Sequence, residues 1–432
     1  MRQPYHKIVL IVPPSPWLIS DRDIPMMGPL CLSAYLKQYG RCDVDVCDLS
    51  SLDMKDWYIP VGDIYGVTGV SPQFIYMRDI IEIIKARENK PVIVGGVHAT
   101  VYPDHIFKYT KADACVLGDG EEVLYRIMKG DDWISIPGVK TREMEVDFFA
   151  YPFRDLSDLP YPDRKAIDYF SYLVPRTFNY MYPEAKREGS IITGRGCPSN
   201  CAFCANKKIS GNRIRLMDPL RVVNELGHMV YHFGVEVVNF LDDTFIINKK
   251  RVHTICSLIK QRIPNLKWFC LTRADCVDQE LLLDMKSAGC LSLAIGFESG
   301  SDRILRLMNK GITIEQAKAG IKEISSSGLL INGQLIVGFP TETDEDVELT
   351  AKFIKESPEV DTFGLHVFQP FPGCDVWEHP DKYGIEIDKE TDFSDYHTIG
   401  RHDGLYSHDP VVDARYRYLK DIIGDRSREL RK

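Results

Sequence analysis

The sequence predicts an α/β protein built from a doubly wound, Rossmann-like sheet, then a partial (β/α)6 TIM barrel and a short C-terminal domain. Three observations carry that prediction. Short apolar runs rich in β-branched residues recur along the chain and read as parallel strands buried on both faces. Helical patterns separate them, giving the β-α-β order of a wound sheet or barrel. Glycine and polar residues gather at the strand ends, where both architectures bind ligands.

In the first unit, residues 1–137, the strand-like runs are Ile8–Val12, Ile64–Val70, Val92–Val94 and Ala114–Leu117. Helical patterns lie between them at Gly28–Tyr39 and Met77–Arg87. A proline-rich, aromatic linker spans 138–188. In the second unit, 189–379, the runs are Ser190–Thr193, Val235–Leu241, Leu266–Thr272, Leu291–Phe297, Leu330–Val337 and Phe363–Phe368. Residues 380–432 form a small domain with a helical, charged end.

Composition excludes several classes. The 432 residues are 44% hydrophobic, enough for real cores, with a formal net charge of -9. An acidic chain lacks the dense Lys/Arg field of a nucleic-acid groove, so nucleic acid is not expected as partner. Its basic stretches are short: Lys207-Lys208 with Arg213 and Arg215, and Lys249-Lys250-Arg251. No apolar stretch is long enough to cross a bilayer and the N-terminus lacks a signal-peptide core, which predicts a cytoplasmic protein without a membrane partner. Twelve cysteines without disulfide-like spacing suit a reducing compartment.

The most informative motif is Gly194-Arg195-Gly196-Cys197-Pro198-Ser199-Asn200-Cys201-Ala202-Phe203-Cys204. Its C-x3-C-x2-C spacing puts three thiols on one loop. Structural zinc sites use paired cysteines and matched ligands, and His228 and His232, one helical turn apart, are the candidates to complete such a site. Iron-sulfur clusters normally take four thiolates, so three on a tight loop suit a cluster with one open iron. Here the chain resembles the cobalamin-dependent radical S-adenosylmethionine (SAM) enzymes, the class B methyltransferase-like family.

The resemblance implies a 4Fe-4S cluster on Cys197, Cys201 and Cys204, with Phe203 shielding it. It implies SAM contacts from Asp242 and Asp243 after the second barrel strand, Arg273 after the third, Glu298 after the fourth and Ile336 on the fifth. In the first unit it implies cobalamin at the strand ends and the loops before them: Pro13 and Ser15, Met27 and Gly28, Gly69 and Ser71, Gly95, Gly96 and His98, and Gly118, Gly120 and Glu121. The D-x-H-x-x-G motif that supplies a cobalt-binding histidine in other cobalamin domains is missing, and His98 reads as a structural hydrogen-bonder instead of a cobalt ligand. Relatives have threonine after the glycine of Pro372-Gly373; here it is Cys374. Cys374 reads first as a small buried hydrophobe and second, with Tyr180, as a catalytic candidate.

The implied function is methylation of an unactivated carbon, by hydrogen abstraction with a deoxyadenosyl radical and transfer from methylcobalamin. An external one-electron reductant such as flavodoxin or ferredoxin and low-oxygen conditions follow from that chemistry. The short C-terminal domain predicts an open barrel mouth and a bulky substrate such as a peptide or protein segment. Rival readings are a rearrangement, cyclisation or oxidation of a small metabolite without methyl transfer, a sensor without turnover, and a transfer-RNA methylthiotransferase. Cys31, Cys42, Cys47 and Cys115 would supply the last of these with a second cluster, but the chain has no basic RNA-binding tail.

Overall fold

The computed structural model describes residues 4–15, 18, 20–145, 155–174, 182, 184–211, 213–396 and 407–429. The first sheet has strands β1 (Lys7–Val12), β2 (Asp43–Asp48), β3 (Ile64–Thr68), β4 (Val92–Gly95), β5 (Ala114–Val116) and β6 (Val139–Thr141), in the order β2-β1-β3-β4-β5-β6. β1 to β5 run parallel, and β6 is antiparallel to β5. Alternation along β1 explains the two helical layers. Val9 and Ile11 join Met77, Ile80 and Ile84 on one face, while Ile8 and Leu10 join Leu36, Leu124 and Ile127 on the other.

β2 is an edge strand of alternating Asp and aliphatic residues, Asp-Val-Asp-Val-Cys-Asp, so it lacks the continuous apolar run of a buried strand. Of the strands in this sheet, β6 is not expected from the sequence. β6 lies beyond residue 137, in the stretch assigned to the linker, and extends the first sheet to Thr141.

The second sheet contains β7 (Glu188–Ile191), β10 (Val237–Phe240), β11 (Lys267–Thr272), β12 (Cys290–Glu298), β13 (Leu330–Val337) and β14 (Thr362–Val367), all parallel and neighbouring in chain order. Between β7 and β10 a short antiparallel pair, β8 (Gly194–Arg195) with β9 (Arg215–Leu216), brackets the cysteine loop. The six strands form an open, partial barrel whose edges are β7 and β14.

Wall helices Pro219–Phe233, Lys249–Arg262, Gln279–Ser287, Ile314–Ser326 and Asp344–Lys355 follow successive strands. Asp218, Asn248 and Asp278 cap the first three, and Thr313 and Thr343 open the last two with capping boxes. The tail differs from the small domain expected. Its helix Pro410–Glu429 supplies the wall beside β14: Tyr416 and Leu419 are buried with Phe353, Phe363 and Leu365, and the Tyr416 hydroxyl donates to Leu365 O at 3.3 Å. Burying two such side chains contributes about 3–6 kcal/mol. Residues 380–396 instead pack on the first domain, where Tyr383 and Phe393 join its core.

Candidate functional site

The carboxyl ends of the first sheet face the mouth of the barrel, and between them lies a cavity of about 370 Å3. Its floor includes Leu10, Gly66, Ile93 and Val116 from the sheet and Leu32 and Leu124 from the helices above it; its roof includes Ile192, Gly194, Leu241 and Asp243 from the barrel. Of the strand-end residues singled out in the sequence, Met27, Gly28, Gly95, Gly96, Gly118, Gly120 and Glu121 line this cavity.

Two of its glycines are bare without a packing reason. A Cβ on Gly28 or Gly95 would meet no atom within 4 Å, so nothing in the protein itself forbids a side chain there. Bare backbone facing an apolar cavity suits close approach of a large flat ligand. The donor-poor lining and glycine floor fit a corrinoid.

Pro13, Ser15, Gly69, Ser71 and His98 do not line this cavity. A Cβ on Gly69 would come within 2.5 Å of Met77 Sδ, which makes that glycine a packing requirement. Gln73 Nε2 donates to Pro13 O and Ser15 Oγ, closing that loop onto the helix start. His98 is fully buried, with Nδ1 3.0 Å from Ser71 Oγ and Nε2 3.3 Å from His105 Nδ1. His105 reaches Thr391 O at 3.1 Å, so this chain of polar groups ties the C-terminal segment to the first domain. Burial lowers both histidines, His98 to about 3 and His105 to about 4, and holds them neutral.

An ionic cluster joins the two domains at the cavity. Arg195 donates to Asp119 Oδ1 at 2.9 Å and to Glu121 Oε1 at 2.6 Å, while Arg215 pairs with the other oxygen of Asp119. Arg195 sits two residues before Cys197, so the cysteine loop is anchored directly to the first domain. Deeper in the linker interface, Arg164 and Arg221 share the fully buried Glu225, at 2.7 and 2.8 Å. Neither cluster was anticipated: the sequence signal was only an arginine inside the cysteine motif and acids at a strand end.

The cysteine loop is shaped for its turn. Gly196 has φ +99, and a Cβ there would lie 2.2 Å from Arg213 O. Cys197, Cys201 and Cys204 are all free thiols. Cys204 Sγ accepts from Asn206 N at 3.5 Å, and Cys197 Sγ sits 3.7 Å from Thr244 Oγ1. The surrounding protein pushes Cys201 up and Cys204 up to about 11, so these thiols favour their neutral form until a cation offsets the charge. Among the described residues no three His, Cys, Asp or Glu side chains close on a single metal ion. His228 and His232 pack on each other, with His228 against Tyr161 and Phe233 on the outer helix. The three soft donors therefore fit a multi-iron cluster, in which each thiolate takes a different iron, better than a single zinc.

The paired acids after β10 separate into two roles. Asp242 is buried and accepts from Thr193 N and Thr193 Oγ1, both at 2.5 Å, and burial raises it to about 6. Its carboxylate is occupied in holding Thr193, the residue just before the cysteine motif. Asp243 lines the cavity and accepts from Gly196 N at 3.2 Å. Arg273 forks onto Asp275 and braces the loop from below, donating to Ser199 Oγ at 3.3 Å and Lys310 O at 2.9 Å.

Glu298 is aimed by its backbone. It has φ +65 at a register shift between Gly296 and Glu298, and a Cβ on Gly296 would collide with its Oε1 at 2.3 Å. Such a left-handed residue costs about 1–3 kcal/mol and recurs where a strand end must re-aim a side chain. Lys310, which the sequence reading missed, pairs with Glu298 at 2.7 Å and lies 5.9 Å from the Phe203 ring centre. Phe203, Glu298 and the cysteine loop thus meet at one spot. Ile336 projects from β13, half-buried, on the face opposite the wall helices. Cys374 is fully buried and caps the helix Asp375–Glu378 by accepting from Trp377 N at 3.4 Å, a core position with no open face. Tyr180 lies outside the described residues.

Known proteins agree with this arrangement. Residues 191–354 match the Radical SAM superfamily and residues 20–128 the B12 binding domain. An uncharacterized methyltransferase of Pyrococcus horikoshii is 31% identical over 390 residues, covering 86% of this chain and 83% of that protein. The anaerobic magnesium-protoporphyrin IX monomethyl ester cyclase of Rubrivivax gelatinosus is 28% identical over 366 residues, 80% of this chain and 64% of the cyclase. Among solved structures, the radical S-adenosylmethionine methyltransferase TsrM of Kitasatospora setae, with cobalamin and a 4Fe-4S cluster bound, shares the fold. Its TM-score is 0.69 at 20% identity over 90% of this chain and 80% of that one. With two matched domains facing each other across a glycine-floored cavity, and a relative at 31% identity along most of its length, this chain belongs to the cobalamin-dependent radical SAM enzymes, the methyltransferase-like class B family that uses a 4Fe-4S cluster, SAM and cobalamin.

Proposed function

We propose that this enzyme methylates an unactivated carbon of a bulky substrate, such as a peptide or protein side chain, with the cavity between the domains holding cobalamin above the barrel mouth. The observation that carries the reading is Arg195, which belongs to the cysteine loop and pairs with Asp119 and Glu121 at the cavity wall. Two cofactor sites held on one ionic cluster suit a reaction in which both act on one substrate.

When bound, the cluster and SAM supply a radical able to take hydrogen from carbon, and cobalamin carries the methyl group. The chain's own residues hold and orient. Cys197, Cys201 and Cys204 ligate the cluster; Phe203 excludes water from it. Asp243 accepts from the SAM amino group, Glu298 from ribose hydroxyls, and Ile336 packs on adenine, while Arg273 keeps the loop in place. Asp242 acts through Thr193 as a positioning residue. Met27, Gly28, Gly95, Gly96, Gly118, Gly120 and Glu121 surround the corrinoid. A reductant such as flavodoxin or ferredoxin delivers the electron. The bulky-substrate reading is supported by the tail, whose described parts are spent on the wall beside β14 and on the first domain. No described helix is long and apolar enough to cross a membrane.

The relative named as a cyclase favours a second reading, ring formation or oxidation without methyl transfer. Anaerobic reconstitution with iron, sulfide and hydroxocobalamin, followed by mass spectrometry of a reduced reaction with methyl-deuterated SAM, separates the two. Deoxyadenosine with S-adenosylhomocysteine and a deuterated product supports methyl transfer. Deoxyadenosine with an unlabelled product favours the second reading.

A further inference from the structure

Among the described residues of the barrel's inner face, His366 is a titratable side chain that no cofactor role employs. β13 and β14 pair in parallel, with Gln334 beside Gly364 and Ile336 beside His366. Burial alternates along both strands, and Leu335, Val337, Leu365 and Val367 lie in the core shared with the wall helices. Asn332, Gln334 and His366 therefore project from the opposite face, into the barrel. His366 is the next-to-last residue of β14, at the strand end where barrel enzymes place their chemistry.

Two side chains fix the protonation pattern of its ring. Gln334 Nε2 donates to Asn332 Oδ1 at 2.6 Å, which leaves Gln334 Oε1 to face His366 Nε2 at 2.9 Å. An amide oxygen only accepts, so Nε2 carries the proton and the lone pair sits on Nδ1. Gly364 makes the crossing possible, since a Cβ there would lie 2.4 Å from Gln334 Oε1. Nδ1 itself has no hydrogen-bond partner among the described residues. Burial, opposed by the weaker attraction of Glu298, lowers the histidine's proton affinity and favours the neutral ring. Glu298 is itself committed to Lys310.

We infer that His366 is a substrate-binding residue whose Nδ1 accepts a hydrogen bond from an O–H or N–H group next to the carbon that is methylated. The inference rests on the methyl-transfer reading and narrows it. A neutral acceptor held in one tautomer prefers substrates that present a donor, because an analogue without one leaves a buried lone pair unpaired.

Two substitutions separate substrate contact from scaffolding. His366→Asn keeps an acceptor near the position of Nδ1 but cannot reach Gln334; His366→Gln keeps a donor toward Gln334 but offers no acceptor at Nδ1. The probe is methyl-deuterated SAM with the fraction of cell extract that the wild-type holoenzyme labels. The readout is the ratio of deuterated product to deoxyadenosine. We expect His366→Gln to lower that ratio about tenfold or more, and His366→Asn to lower it less. An unmoved ratio in His366→Gln, or a larger fall in His366→Asn, overturns the inference while leaving methyl transfer intact. Failure of the wild-type enzyme to label anything while it cleaves SAM overturns the methyl-transfer reading and the inference with it.

Discussion

Gly69 and Gly95 stand at the ends of neighbouring strands, β3 and β4, yet they serve opposite purposes. Around Gly69 the chain is packed shut: a Cβ would strike Met77, and Ser71, His98 and His105 form a buried polar chain that docks the C-terminal segment. Around Gly95 the chain is open: a Cβ would meet nothing, and the backbone faces the cavity between the domains. Small residues at a strand end therefore mark either tight packing or ligand access, and only the atoms opposite them distinguish the two.

The strongest way to break this comparison is substitution at both sites. Gly95→Leu should abolish cobalamin retention after desalting, by more than about tenfold in affinity, while shifting stability by less than about 1 kcal/mol. Gly69→Leu should do the reverse, destabilising by about 1–3 kcal/mol through overpacking while folded protein still retains corrinoid. Absorbance of the desalted protein and chemical denaturation read the two quantities, and similar outcomes at both glycines would erase the distinction.

Next in size is the ionic cluster that joins the open region to the barrel. Arg195→Met leaves Glu121 buried without its partner and should cost about 3 kcal/mol in denaturant unfolding. Equal stability of the variant and the wild type would mean that the Arg195 pairs do not help to hold the domains together.

The packed region should also respond to acid. His98 and His105 are held neutral at about 3 and about 4, below the value near 6.5 of the unfolded chain. The unfolded state thus takes up their protons first. The stability they preserve is full above about pH 6.5 and falls on acidification, by up to about 1.4 kcal/mol per pH unit for each histidine. His105→Gln should flatten the fall in melting temperature between pH 7 and pH 5; an unchanged slope would remove the pair from the docking of the tail.

The smallest expected effect on stability lies in the paired acids. Asp243→Asn, on the cavity side, should leave unfolding within about 0.5 kcal/mol of wild type while weakening SAM binding. Asp242→Ala strands the Thr193 donors and should cost about 1–3 kcal/mol. Isothermal titration with SAM beside thermal melts distinguishes them, and equal melting temperatures would contradict the division of roles.

Much of this molecule was legible in the residues because the signals are local. The six barrel strands appear as apolar runs, the cysteine spacing displays the cluster loop, and the ordered acids and glycines behind it follow strand ends. Periodicity and spacing survive without knowledge of the partner surface. What was not legible has a common cause. β6 falls in a stretch that reads as linker until β5 supplies its hydrogen bonds. Asp242 and Asp243 are adjacent in sequence and only Thr193 makes one of them structural. Cys374 could be read as thiol or hydrophobe until the Trp377 N–H engaged its sulfur as a buried helix cap.

By itself, then, the sequence determined the fold class, the order of its two α/β units and the chemistry of the cysteine loop, because composition, period and ligand spacing are properties of short segments. Tertiary structure alone decided which glycines face the cavity, which acid of a pair lines it, that Arg195 ties the cluster loop to the first domain, and that the tail walls β14. Each of those depends on atoms brought together from distant parts of the chain, whose side chains meet only when the two sheets are packed.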